Sequence, residues 1–555
     1  MRVVSLLAVC ALASSVAARS LKHVGRELPD LPNLRTRAKR APEYPILPRE
    51  IESEKRQAAP IVQQTAETAK FKVDGSAGAI PNVTFDIGES YAGLLPISST
   101  PNASELYFWF FPTTNPEGSE DLTIWLNGGP GCSSLEGFLQ ENGPFLWQYG
   151  TFQPIQNPWT WINLTNMVWV EQPVGTGFSQ GTPIATNEET VAEQFLGFWK
   201  NFIDTFGLHG KKIWITGESY AGYYVPYITD AMQSKNDTKY FGAEGSMFYD
   251  PVITGGNIQT DVVAVAFEEY HDQLFILNSS YRADLVSRAD KCGYTDYMNT
   301  YLTFPPPGLL PDEATPKGNV SSSECAVFDD IFNAVLLTNP CFDIYQVATT
   351  CPILWDVLGF PGSIEYLPEG ATIYFNRTDV QKAINAPIQP WAECSNGVLD
   401  SDTSLPSSIE VIPRIVENSK RTIIAHGLLD MVLIANGTLL GIQNMTWGGK
   451  QGFQIVPKDP LYIPYHEEIS LSTLAASGVM GVTHTERGLT WNEVSLSGHM
   501  IPQYQPSVAY RQMEFLLGRI SSLSEVSDFT TQKGNFGNNP NATFALRDRS
   551  SIREL

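Results

Sequence analysis

Lys212-Ile213-Trp214-Ile215-Thr216-Gly217-Glu218-Ser219-Tyr220-Ala221-Gly222-Tyr223-Tyr224-Val225 reads as a short apolar run, a Gly-x-Ser-x-Gly turn and the start of a second apolar segment. A buried strand that turns sharply into a helix has this pattern, and small residues around the serine let its hydroxyl stand clear of a sheet edge. The hexapeptide Gly-Glu-Ser-Tyr-Ala-Gly also occurs earlier, from Gly88 to Gly93. That copy follows Asn82-Val83-Thr84 and runs into Leu94, Leu95 and Pro96, which offer no helix for the turn to enter. Ser219 is therefore the candidate nucleophile and Ser90 the decoy. In a chain with 44 glycines the motif alone is a weak signal, so partners must carry the argument.

Around this stretch, strand-like runs recur at Leu106–Phe111, Leu122–Leu126, Met167–Val170 and Thr422–Ala425, separated by helical patterns. The alternation predicts an α/β fold. The clearest helix runs over 188–206, with Val191, Phe195, Trp199, Phe202 and Phe206 on one face and Thr186 to Glu189 spaced as a capping box. Another starts at Pro506 and stops before Gly518. Residues from about 227 to 391 are irregular and are expected to form a cap inserted over the sheet.

When strands end at one edge of such a sheet, nucleophile, acid and base follow one another along the chain as serine, acid, histidine. Asp430, after the run Thr422 to Leu429, and His499, in Ser497-Gly498-His499-Met500, both sit on loops after strands in that order. His466 and His484 also follow Asp430 but lack the glycine-flanked setting. Singly, Asp430 reads equally well as a turn aspartate and His499 as a structural histidine; with Ser219 upstream they form a set. The strand Leu122–Leu126 leads into Asn127-Gly128-Gly129-Pro130-Gly131-Cys132, a loop able to present unpaired amides to an anion. No lysine follows to reach a phosphate, so an oxyanion hole from the amides of Gly129 and Tyr220 fits better.

Bulk properties bound the rest. At 555 residues and 43% apolar composition the chain can bury a large core, and its formal charge of -23 disfavours nucleic acid as partner. Met1-Arg2, the greasy run Val3–Ala13 and Val16-Ala17-Ala18 predict a secretory signal cleaved after Ala18. Residues 19–56, rich in Arg, Lys, Pro and Glu, suit a pro-segment, with Lys39-Arg40 and Lys55-Arg56 as candidate processing sites; the folded domain is placed at 57–520 and a polar tail at 521–555. No integral membrane or lipid anchor is expected. Ten sequons fit the secretory route: Asn82, Asn102, Asn163, Asn236, Asn278, Asn319, Asn376, Asn436, Asn444 and Asn541. Beyond Cys10 of the signal, six cysteines allow three disulfides, and the spacing motifs of a zinc site are lacking, so no metal or cofactor is expected.

Asn127 to Ser134, Glu141-Asn142-Gly143-Pro144, Gln172 to Ser179, Gly217 to Gly222 and Gly498-His499-Met500 together resemble the serine carboxypeptidases, the family of carboxypeptidase Y, and secreted fungal members most of all. The resemblance spans about residues 75 to 520. It implies an α/β-hydrolase fold with a mixed, mostly parallel sheet and a helical cap, and release of C-terminal residues from peptides. It assigns Ser219, Asp430 and His499 as the triad, Asn127, Gly128, Glu141 and Glu218 to the substrate's terminal carboxylate, and Met500 to a further substrate contact. One position departs: relatives usually carry an acid two residues before the triad aspartate, where this chain has Leu428. The likeness also pairs Cys132 with Cys394 and leaves Cys292, Cys325, Cys341 and Cys351 to the cap, where nested pairs Cys292–Cys351 and Cys325–Cys341 are expected. An acyltransferase, an inactive binding protein and a secreted esterase stay open as alternatives on the same scaffold, and the vacuole as an alternative destination.

Overall fold

The structure, a computed structural model, describes residues 62–359, 371–399, 401–466 and 475–532. The expected signal, pro-segment, Asn541 and most of the tail lie outside these residues. Eleven strands form one sheet: β1 (Lys72–Val73), β2 (Ser90–Pro96), β3 (Glu105–Phe111), β4 (Asp121–Leu126), β5 (Asn166–Glu171), β6 (Lys212–Glu218), β7 (Ala243–Tyr249), β8 (Arg421–Gly427), β9 (Asp459–Ile463), β10 (Gly478–Glu486) and β11 (Leu489–Val494), in the order β1-β2-β3-β5-β4-β6-β7-β8-β11-β10-β9. From β5 across to β11 neighbours run parallel, while the strands flanking them on both sides pair antiparallel. Of the parallel strands, β4, β5, β6 and β8 are buried along nearly their whole length, as expected where helices cover both faces, and this is why they read as mainly apolar runs. Their carboxyl ends lie at one edge of the sheet, where an open α/β sheet collects its ligand-binding loops. The architecture is the α/β-hydrolase fold.

Helix α1 (Glu188–Phe206) presents Val191, Phe195, Trp199, Phe202 and Phe206 to the sheet, where Phe202 meets Phe108 and Phe110 edge-on at 5.3 Å. Burying each such ring contributes about 1.5–3 kcal/mol. Its cap differs from the expected one: Asn187, not Thr186, is the N-cap, its side chain accepting from the Thr190 amide. Asparagine satisfies one orphan N–H as well as threonine does, and it directly precedes the expected first residue, Glu188. Helix α2 (Ala221–Ser234) leaves the serine turn, and α3 (Pro506–Leu516) is buried along its length.

The cap boundaries need correction. Residues 227–249 belong to the core, because α2 continues to Ser234 and β7 lies between β6 and β8. The excursion runs from Asp250 to the strand at Arg421. Its helices, including Asp261–Tyr270, Ser279–Lys291, Tyr294–Tyr301 and Val327–Thr338, bury their own cluster, which also takes in Met431, Ile434 and Leu440 just after Asp430. The cap thus packs onto the loop that carries the candidate acid. The tail is also shorter than expected: Thr531 is buried, its amide donating to Glu514 Oε1 at 2.6 Å, so residues up to 532 dock on α3.

Cys132 bonds Cys394 as the resemblance implied, but the nested cap pairs do not form: Cys292 bonds Cys325 and Cys341 bonds Cys351. The reason is local packing. Arg288 ties the end of the Ser279–Lys291 helix to the Glu324 carbonyl at 2.8 Å, and Asn339 Nδ2 donates to the Thr349 carbonyl at 2.8 Å, so each cysteine meets its neighbour in sequence. Among the sequons, Asn82, Asn102, Asn236, Asn278 and Asn319 are exposed; Asn163, Asn376, Asn436 and Asn444 are half-buried. Asn376 is the poorest acceptor for a glycan, since its amide nitrogen donates to the Trp391 carbonyl. Among the described residues no helix is long and apolar enough to cross a membrane.

Candidate active site

Ser219 stands between β6 and α2 with φ of 64°, a left-handed conformation that a serine holds only where its surroundings impose it. Its amide donates to the Tyr249 carbonyl at 2.9 Å and its carbonyl accepts from Val252 at 3.0 Å, which fixes the turn against the end of β7. Gly222 follows because a Cβ there would come within 2.3 Å of the Val252 carbonyl oxygen. Ser90, in contrast, is the fully buried first residue of β2, accepting a bond from Trp109 Nε1 at 3.2 Å. The two identical hexapeptides therefore fold differently, and only the later one forms a strained strand-to-helix turn.

The glycine loop after β4 closes on this turn. A Cβ at Gly128 would stand 2.4 Å from the Tyr220 nitrogen and 2.8 Å from the Ser219 Cβ, so only glycine permits the approach. Gly129, with φ of 110°, takes the loop away again, and the Cys132–Cys394 bond clamps it to the segment whose Glu393 carbonyl accepts from Ser133. The loop and the turn at Tyr220 meet backbone to backbone, the arrangement an oxyanion hole needs.

His499 Nδ1 lies 2.7 Å from Asp430 Oδ2, both residues buried. Asp430 Oδ1 accepts from the Val432 and Leu433 amides at 2.8 and 3.3 Å, which ties the side chain to its own loop. The His499 amide donates to the Tyr345 carbonyl at 2.8 Å and its ring meets the Tyr345 ring edge-on at 5.2 Å, so a cap residue sets its orientation. Its Nε2 is buried with no hydrogen-bond partner. His466 and His484 are engaged elsewhere, by the Ala476 carbonyl and by Glu486. Met500 is half-buried immediately after His499.

Glu141 and Glu218 are buried together, and a third acid that the sequence reading passed over, Glu136, joins them: one oxygen of each lies within 4.8 Å of the others. Asn127 links the group, donating through Nδ2 to Glu136 and, at 3.4 Å, to Glu218, while its Oδ1 accepts from Trp125 Nε1 at 2.7 Å. Burial, then the neighbouring carboxylates, push Glu141 well above the usual carboxylate range; burial and the charge of Glu136 do the same for Glu218. Burial brings Glu136 up to about 7. The donor set consists of oxygens alone, suited to sharing protons or a hard cation. Asp343 and Asp356, each raised by burial to about 6, add to a site rich in acids. Asp250 and His426, also missed, back Asp430. Its signal was available: Asp250 directly follows a strand end, as Ser219 does.

Raised carboxyls make stability pH-dependent. Glu136 and Glu171, both brought to about 7 by burial, bind protons in the folded chain that they would release when unfolded. Their contribution is fully present below about pH 4.5 and lost as pH rises through 7, on the order of 3 kcal/mol each. A thermal melt should give a Tm lower at pH 8 than at pH 5 by about 5 °C. An equal or higher Tm at pH 8 would show that these acids are ionised in the fold.

A family model described as serine carboxypeptidase matches residues 81–518. A probable serine carboxypeptidase of Arthroderma benhamiae is 56% identical over 94% of this chain and 98% of its own, and serine-type carboxypeptidase F of Aspergillus niger is 47% identical over 82% and 88%. The crystal structure of the prohormone-processing carboxypeptidase Kex1 from Saccharomyces cerevisiae superposes with a TM-score of 0.62 over 81% of this chain and 96% of its own, at 22% identity, a likeness of fold.

Proposed function

The chain belongs to the serine carboxypeptidase family and is a hydrolase of that kind, and from that premise we propose that it is a secreted enzyme that removes single residues from peptide C-termini, best in acid, through an acyl-enzyme on Ser219. The observation that carries this reading is one strained serine whose chain neighbour Glu218 lies in the carboxyl cluster and feels the charge of Asp430, the partner of His499.

Ser219 attacks the last peptide bond while His499 Nε2 takes its proton, and Asp430 holds the imidazole in the tautomer that leaves Nε2 free to do so. The amides of Gly129 and Tyr220 receive the developing oxyanion. His499 then returns the proton to the leaving amine, and water hydrolyses the acyl-enzyme by the same steps in reverse. A triad alone cuts anywhere, so an exopeptidase needs groups that demand a free carboxylate one residue beyond the cut. Asn127 donates through its amide; Glu141 and Glu218 donate only when protonated. Their raised proton affinity means they meet the substrate's carboxylate as proton-sharing partners in acid and as repelling charges once ionised.

The test compares one N-blocked dipeptide as free acid and as C-terminal amide, with Glu218→Gln beside the wild type. The wild type should cleave the free acid only, with KM rising about tenfold or more between pH 5 and 8, as repulsion between close charges requires. Glu218→Gln, a neutral donor at every pH, should flatten that rise. A KM independent of pH in the wild type would remove the proton-sharing account; equal cleavage of the amide would point to an esterase-like or endopeptidase site.

A further inference from the structure

Asp250 follows β7 at φ of 41° and is fully buried. Its amide donates to the Ala425 carbonyl at 2.7 Å, its Oδ1 accepts from the Gly427 amide at 2.8 Å and lies 3.0 Å from His426 Nδ1, and its Oδ2 has no N–H or O–H donor directed at it. One of its oxygens, one oxygen of Asp430 and a ring nitrogen of His499 lie within 4.8 Å of one another. A non-glycine residue in the left-handed region carries some strain, and such residues cluster at functional sites.

We propose that Asp250 is a positioning residue for the Asp430–His499 pair, keeping a proton on Oδ2 and donating it to Asp430, with His426 neutral behind it.

The number of donors decides which carboxyl keeps the proton. Two buried carboxyls this close cannot both ionise without a compensating cation, and the groups facing Asp250 are Asp430 and His426 from the end of β8 and the loop beyond it, Glu218 at the end of β6, its neighbour Tyr249, and His499. None is lysine or arginine. Asp430 has three donors, the Val432 and Leu433 amides and His499, whereas Asp250 has the single Gly427 amide, so the charge settles on Asp430 and the proton on Asp250. His426 does not supply the missing cation: its Nε2 is 2.7 Å from Thr438 Oγ1, itself bonded by Gln259 Nε2 at 2.9 Å, and burial holds the ring well below the usual range for histidine. Burial followed by the charge of Asp430 raises Asp250 well above an ordinary aspartate, in agreement. A protonated Asp250 gives Asp430 a further donor without adding a second negative charge beside His499.

The inference rests on the proposed triad, and the experiment separates the two. Asp250→Asn keeps the donor and the neutral charge, so kcat should stay within about threefold and the acid limb of kcat/KM should not move; Asp250→Leu removes the donor and should lower kcat by about ten- to a hundredfold at unchanged KM. If Asp250 were ionised, Asp250→Asn would remove a charge that favours the imidazolium and shift the acid limb to lower pH by about one unit or more, which would overturn the proposal. Undiminished kcat in Asp250→Leu would overturn it too. An infrared difference spectrum of wild type minus Asp250→Asn at pH 7 reads the proton without turnover: a carboxylic-acid carbonyl band lost in the variant supports the assignment, and its absence from the wild type refutes it. A wild type that neither hydrolyses peptides nor reacts with a fluorophosphonate would instead fault the functional reading, leaving the infrared result to decide the place of the proton.

Discussion

Ser219→Ala is expected to lower kcat on an N-blocked dipeptide by about a millionfold, the scale on which a serine hydrolase loses covalent catalysis when its nucleophile is removed. Ser90→Ala should leave kcat within about twofold, at a stability cost of about 1–3 kcal/mol for the Trp109 indole left without its acceptor. The contrast is sharp because the two serines sit in the same hexapeptide. One is in the left-handed turn against Gly128; the other is the first residue of a strand near the edge of the sheet. The comparison is made on purified variants with matched circular dichroism, and comparable losses in both would mean that the hexapeptide matters for folding, not for chemistry.

Asp430→Asn is expected to cost about 10⁴-fold in kcat with little change in KM. The carboxylate accepts from two backbone amides through Oδ1 and faces His499 Nδ1 through Oδ2. Asparagine can keep the amide bonds through its oxygen, but then its NH2 points at Nδ1, and the imidazole must turn that nitrogen into an acceptor. The proton moves to Nε2, where it blocks the base. Loss of less than about tenfold would show that another group orients His499.

Much of this site was readable from the chain because its parts are local. Lys212 to Val225 carries strand, turn and helix in fourteen consecutive letters, and the expected strands and α1 all form at the anticipated places. Asp430 and His499 followed from chain order. What escaped reading is non-local or weakly patterned. β7 opens Ala243-Glu244-Gly245-Ser246, residues with little strand preference, and is a strand because β6 and β8 pair with it on both sides. Missing it hid Asp250, whose meaning depends on that strand ending beside Asp430. Glu136, between Leu135 and Gly137, resembles an ordinary loop acid until Asn127 and Glu218 are seen against it. The cap disulfides depend on which helix ends Arg288 and Asn339 hold together, information no spacing of cysteines contains.

The most direct test of the account is to label the protein with a fluorophosphonate and map the modified peptide by mass spectrometry. The account predicts one adduct, on Ser219, formed at a rate that falls in Asp430→Asn and vanishes in His499→Ala. An adduct on Ser90, or full peptidase activity surviving complete modification of Ser219, would contradict it.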